Sequence, residues 1–471
     1  MLCLTSLYIG LALDGGLVDP LPLDDLRPDF VGSLDSSAYP IRCHYADASK
    51  ADTCAIVISS AEAAWATQVD ELGFRAPEPD GDGILDFYIS NEGTEGGAYT
   101  LGSYFDAEPL DHYLSCPSFV VLDPSIPDVD IPSFVVHEFQ HVSQYATDFM
   151  EATLPVWEAV ATETERYNLD DGSVLAYQIA DFQETPWLGL LGDGYILYDR
   201  DGTWSEYEYG AVLWILDLNA RLGLAEGEAA QLLWETLAQG ELFNEPDVLD
   251  AWEVLTGDWR QSLLDLNVLR AQLGTAAAPD WESYLNNGGM RVTYDEELDA
   301  PALPVDLTPS PRPWPTGSVF ARFTGLTPGQ PLRLTVTADE DATFGLVVVE
   351  ADRSLTSLDP QLEFTPAAAE LDIVVVNFGP DGYDADQDWH GYGYTLRVEV
   401  ATPAGDTGEE PEPDTDAPKA EPADRPADKG GCGCAQSGGG GLYAALSGLL
   451  LLARRSARMR SRSASAASRS G

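Results

Sequence analysis

Two of the chain's five histidines stand four residues apart around a glutamate, in Val135-Val136-His137-Glu138-Phe139-Gln140-His141. On a helix, positions i and i+4 share one face, so both imidazoles can address a single metal ion. Zinc favours such nitrogen ligands, and a glutamate between them can act as base on a metal-activated water. At this histidine content a shuffled chain carries the pattern about once in a few hundred tries. The segment must then be a helix. Asp130 can cap it, Pro132 falls in its first turn where a missing N–H does no harm, and Val135, Phe139 and Val142 supply an apolar side up to about Asp148.

Composition narrows the surroundings. The 471 residues are 44% hydrophobic and 10% aromatic, which describes a mostly folded chain of two or three domains. A formal charge of -55, with lysine only at Lys50, Lys419 and Lys429, excludes nucleic acid and anionic membrane surfaces as partners. Cys43 and Cys54 close a short loop and are expected to form a disulfide in an exported protein, leaving Cys116 over; the alternative is three buried thiols. Met1 to Leu13 is apolar without a basic start and reads as a signal segment over residues 1–16.

Residues 19–40 are Pro- and Asp-rich and read as an extended leader. Ala51 to Leu72 predicts a helix with Ile56, Ala63, Val69 and Leu72 apolar around Trp65. Ile84 to Ile89 and Ser118 to Leu122 predict strands. At the start of the first, Asp80, Asp82 and Asp86 could hold calcium, but the segment lacks the remaining ligands of a calcium loop and a solvated turn before the strand is the preferred reading. Gly96-Gly97-Ala98-Tyr99 is a candidate edge strand beside a cleft.

A second helix begins at Leu154, with residues 142–157 between His141 and Glu158 giving the chain room to turn back. Here the pattern resembles the gluzincin metallopeptidases, in which His-Glu-x-x-His is followed by a third zinc ligand in an Asn-Glu-Gly-x-Ala-like segment. Trp157-Glu158-Ala159-Val160-Ala161 matches that segment, with Ala159 in place of the usual glycine. The resemblance implies zinc held by His137, His141 and Glu158, with Glu138 as general base. Glu165, seven residues on, returns to the same face and could orient a ligand, whereas Glu163 reads as a solvated charge. Tyr207-Glu208-Tyr209-Gly210 resembles the Tyr-Glu-Lys-Gly helix of the aminopeptidase-like members, which implies an oxyanion-stabilising role for Tyr207, with Tyr209 as fallback.

Leu224 to Leu237 and Asp247 to Leu273 continue at helical spacing. Pro301 to Pro315 reads as a linker, and Val319–Phe323, Leu332–Val336, Gly345–Glu350, Leu371–Asn377 and Tyr394–Val400 alternate as strands do, predicting a β-sandwich over residues 299–403. His390 reads as a turn residue. Residues 404–431 are an acidic Pro-rich stalk. In residues 432–471, Cys432 and Cys434, an apolar run from Leu442 to Ala453 and a basic end resemble the myxobacterial-type C-terminal sorting tail. That resemblance implies export, a cell-envelope membrane contact through the tail, and processing near the cysteines to a surface-attached or released form.

The expected architecture is therefore an α+β zincin-like catalytic domain over residues 17–298 (N-terminal strands, active-site helix, helical C-terminal subdomain), then the β-sandwich and a short hydrophobic anchor. The expected activity is zinc-dependent hydrolysis of a peptide or protein substrate. The alternative class is a surface adhesion or structural protein carrying a catalytically inactive zincin-like domain.

Overall fold

The computed structural model describes residues 27–401, apart from 79–80, 93, 95, 103–107, 111–112, 150, 152, 170–174, 193–204, 239–245, 279–289, 384 and 386–389. The expected signal segment, the stalk, Asp80, and the tail with Cys432 and Cys434 lie outside the described residues.

The chain begins with a five-stranded sheet in the order β1 (Gly32–Asp35), β2 (Ile41–Tyr45), β3 (Leu85–Ile89), β7 (Ser118–Leu122), β4 (Ala98–Gly102). β2, β3 and β7 are parallel, while β1 and β4 close the two edges antiparallel. Glycine-flanked Ala98 thus does begin an edge strand. A hairpin of β5 (Glu108–Leu110) and β6 (Tyr113–Ser115) lies between β4 and β7 in sequence. β3 and β7 are near-continuous apolar runs, as strands covered on both faces require. One face packs Phe87, Ile89, Val120 and Leu122 against two helices; the other gathers Tyr88, Tyr99, Leu101, Phe119 and Val121.

The two helices are α1 (Ala51–Ala64), prolonged by a π-helical stretch Trp65–Glu71, and α2 (Ile131–Thr147). The buried face of α1 is Cys54, Val57, Ala61 and Ala64, not the expected one: Ile56 is half-buried and Ala63 exposed. Gln68 continues the buried face within the π stretch and donates to the Val136 carbonyl at 2.9 Å. Cys43 and Cys54 form the expected disulfide, tying β2 to α1, and Cys116 is buried elsewhere.

α3 (Leu154–Leu169) packs on α2, followed by α4 (Leu175–Glu184), α5 (Tyr207–Gly210), α6 (Val212–Leu222), α7 (Glu228–Leu237), α8 (Val248–Thr256) and α9 (Trp259–Gln272). The helical spacing over Asp247–Leu273 is realised as two helices, because Gly257 turns left-handed (φ 77°) and Asp258 caps α9 through the Gln261 N–H.

Two sheets complete the fold. One runs β13 (Arg353–Ser357), β12 (Thr343–Glu350), β15 (Leu371–Gly379), β10 (Ser318–Thr324), β8 (Glu296–Asp299); the other runs β14 (Gln361–Phe364), β11 (Leu332–Ala338), β16 (Tyr394–Val400), β9 (Val305–Leu307). Val319, Phe323, Leu334, Leu346, Ile373 and Val398 fill the space between them. The opposite face of the first sheet, with Phe320, Val347, Val374 and Val376, shares one core with Leu263, Leu264 and Leu266 of α9. The strands therefore do not hang from a free linker. The Pro-rich segment 301–315 carries β9, and the Pro313 carbonyl accepts from Tyr392 N and Asn377 Nδ2, both at 2.9 Å. Proline lacks a donor but keeps its acceptor, so such a segment packs as well as it extends. The molecule is mixed α and β, and among the described residues no helix is long and apolar enough to cross a membrane.

Candidate metal centre

α2 and α3 bring three expected ligands together. His137 and His141 project from successive turns of α2, and Glu158 from the start of α3 meets both. Glu158 Oε2 is 3.1 Å from His137 Nε2 and 3.5 Å from His141 Nε2, and one ligand atom from each residue lies within 4.8 Å of the others. All three side chains are buried, each at 1% exposure. Among the described residues this is the one His/Cys/Asp/Glu group able to hold a metal ion.

The surroundings fit a metal. Each imidazole is held from behind by its Nδ1: His137 by Glu165 Oε2 at 3.3 Å, and His141 by Gln144 Oε1 at 2.7 Å. An acceptor at Nδ1 places a ring proton there, so Nε2, which faces Glu158, is the nitrogen that would bind a metal on giving up its own proton. Among the described residues Glu158 Oε1 is buried without a hydrogen-bond partner, a cost that a cation at this point would remove. Two imidazoles and a carboxylate leave a fourth position open, the donor set of a catalytic rather than a closed structural site.

The electrostatics run the same way. Burial opposes charge on His137, yet the hydrogen bonds and fields of Glu158 and Glu165 outweigh it and raise its pKa to about 10. Burial would likewise raise Glu158, but His141 and His137 hold it well below the usual carboxylate range. The cleft between these helices is built to keep positive charge beside Glu158.

Glu138, 2% exposed, accepts the Thr100 hydroxyl at 2.8 Å from β4. Burial raises its pKa, only partly countered by His141, His137 and Thr100. The tyrosines divide differently from expectation. Tyr207 is fully buried in the helical core, its ring 5.0 Å from Phe182 and its hydroxyl donating to the Gly189 carbonyl. Tyr209 is the one whose ring lies 5.6 Å from that of His137. The reason is rotational: two residues along a helix is about 200°, so the two side chains leave α5 on opposite sides.

Other expectations change. Glu163 is not a solvated charge but fully buried, bridged to Arg166 at 2.8 Å and to Asn219 at 3.3 Å. Glu165 supports His137 and also accepts the Ser133 hydroxyl. Asp130 stands before α2 but its side chain makes no cap hydrogen bond. The calcium reading of Asp80, Asp82 and Asp86 fails on the two described members. Exposed Asp82 pairs with Arg42 at 3.0 Å and accepts from Ile84 N, while buried Asp86 pairs with His44 at 2.9 Å and with Arg27. Different cations claim each carboxylate, so the segment is the turn. His390 is exposed and pairs with Glu340 at 3.6 Å; residues 386–389 before it lie outside the described residues.

Sequence reading missed Gln144 and Thr100. Gln144 had a signal: a glutamine three residues after a histidine on a helix lies over the same face. Thr100 had none, since only the fold brings β4 to α2.

No protein-family model matches the chain, and no curated protein matches it. Among solved structures, it aligns with a periplasmic inhibitor of g-type lysozyme from Aeromonas hydrophila at 10% identity, over 23% of this chain and 100% of the inhibitor, with a TM-score of 0.17. It also aligns with a family GH115 4-O-methyl-α-glucuronidase specific for decorated arabinogalactans at 10% identity, over 71% of this chain and 54% of the enzyme, with a TM-score of 0.14. At those scores neither alignment bears on fold or function.

Proposed function

We propose that the chain is an exported zinc-dependent peptidase of gluzincin type. The observation that carries this is the convergence of His137, His141 and Glu158 within 4.8 Å, with Glu138 on the next position of the same helix. Zinc held by those three residues would act as a Lewis acid on a scissile carbonyl and make a water acidic enough to deprotonate at neutral pH. Glu138 takes the proton of the attacking water and returns it to the leaving amine; its raised pKa suits both directions of transfer. Thr100 holds that carboxylate in place. Tyr209, beside His137, is the candidate donor to the oxyanion. The Cys43–Cys54 disulfide supports an oxidising compartment, and the sorting-tail resemblance supports a surface-attached or released form.

The test is Glu138→Gln in the full chain, with zinc measured by mass spectrometry and cleavage by a broad peptide library. Zinc should stay at one per chain while cleavage disappears. Undiminished cleavage sinks the mechanism, and a wild type without zinc sinks the metal assignment.

A further inference from the structure

Gln144 lies one turn beyond His141 on α2 and is fully buried. Its Nε2 donates to the Trp157 carbonyl at 3.1 Å, while its Oε1 lies 2.7 Å from His141 Nδ1. The first contact decides the second, because only the amide nitrogen can donate to a carbonyl. The oxygen therefore faces the imidazole, and since an amide oxygen only accepts, the ring proton must sit on Nδ1. His141 Nε2 is thereby the nitrogen available to a metal, and it faces Glu158 3.5 Å away. Both halves of the glutamine are satisfied, as burial at this depth demands.

We infer that Gln144 is the positioning residue for His141 as a metal ligand, and that it couples this imidazole to the peptide carrying the third ligand. Trp157 immediately precedes Glu158, so one amide fixes the ring and the start of the ligand-bearing turn together. The two imidazoles are supported unequally: His137 rests on the Glu165 carboxylate, His141 on a neutral amide. With Glu138, Glu158 and Glu165 already buried in one cleft, a neutral acceptor orients the second ring without adding a fourth buried negative charge.

This rests on the proposed metal site, and the test separates the two. Zinc affinity is measured for the full chain by competition with a chromophoric chelator, in wild type, Gln144→Met and Gln144→Glu, with thermal unfolding of the metal-free proteins alongside. Gln144→Met removes the acceptor and should weaken zinc binding by about 10- to 100-fold. Gln144→Glu keeps the acceptor at Nδ1 but loses the donor to Trp157 and adds a buried negative charge, and should bind zinc more weakly than wild type yet several-fold more tightly than Gln144→Met. A purely structural role predicts instead equal losses in both variants. Wild-type affinity in Gln144→Met, or equal losses in both, overturns the inference while leaving the metal site standing. A wild type that binds no zinc overturns the metal site and this inference with it. Should Gln144→Met not fold, Gln144→Asn, one methylene too short to reach Nδ1, replaces it with the same expected loss.

Discussion

Thr100 donates its hydroxyl to Glu138 Oε2 at 2.8 Å, joining the edge strand β4 to the acidic residue of α2. The strand that borders the sheet thereby sets the position of the proposed base. Both side chains are buried, so losing the hydroxyl leaves the carboxylate without this donor.

Thr100→Val keeps the shape and removes the donor. A hydrogen bond to a charged group is worth about 1.5–3 kcal/mol, so kcat/KM should fall about tenfold or more with zinc content unchanged. The hydroxyl favours the ionised carboxylate, so its loss should also move the acid limb of the pH profile upward. Thr100→Ser should restore both. A valine variant with wild-type kinetics would show that Glu138 is held by packing alone.

Tyr209 and Tyr207 give opposed expectations. Tyr209→Phe should lower kcat about 10- to 100-fold, with thermal stability and zinc binding close to wild type. Tyr207→Phe should leave kcat alone and cost about 1 kcal/mol of stability, because the Gly189 carbonyl loses its donor in the core. Steady-state kinetics and denaturant titration on both variants decide the assignment; a kcat loss confined to Tyr207→Phe would return the role to that residue.

What could be read from the residues and what could not follows from the range of each interaction. His137, His141 and Glu165 were placed by helical period, and the Cys43–Cys54 pair by short loop closure, all local signals. Tyr207 was chosen over Tyr209 because motif order carries no information about how a short helix is rotated against its neighbours. The docking of the sandwich did leave a trace. Gly345-Leu346-Val347-Val348-Val349 and Ile373-Val374-Val375-Val376 are apolar at both phases of a period of two, the mark of strands buried on both faces, whereas Leu332-Arg333-Leu334-Thr335-Val336 alternates. The linker reading overrode that trace. The burial of Glu163 is not legible locally, because Arg166 apart its partner is Asn219, on a helix far along the chain.

Glu151, between α2 and α3, is 6% exposed; Oε1 accepts from Thr153 N at 2.7 Å, while Oε2 is buried without a hydrogen-bond partner among the described residues. Burial pushes its pKa up to about 8, against the Thr153 hydrogen bonds and with help from Asp148 and Asp247. The folded chain therefore keeps a proton that the unfolded chain releases near the ordinary value of 4.5. The stability this represents is complete below that value and is lost progressively as pH rises toward about 8, on the order of 1 kcal/mol per unit. Glu151→Gln mimics the protonated form at every pH. Urea unfolding of both proteins should coincide at pH 4, diverge up to about pH 8 and stay apart by a constant amount above it, the glutamine variant being the more stable. Because carboxylates away from this cluster titrate identically in the two proteins, the difference reports Glu151 with its Asp148 and Asp247 neighbours, and a difference that does not change with pH would mean the side chain is ionised in the folded state.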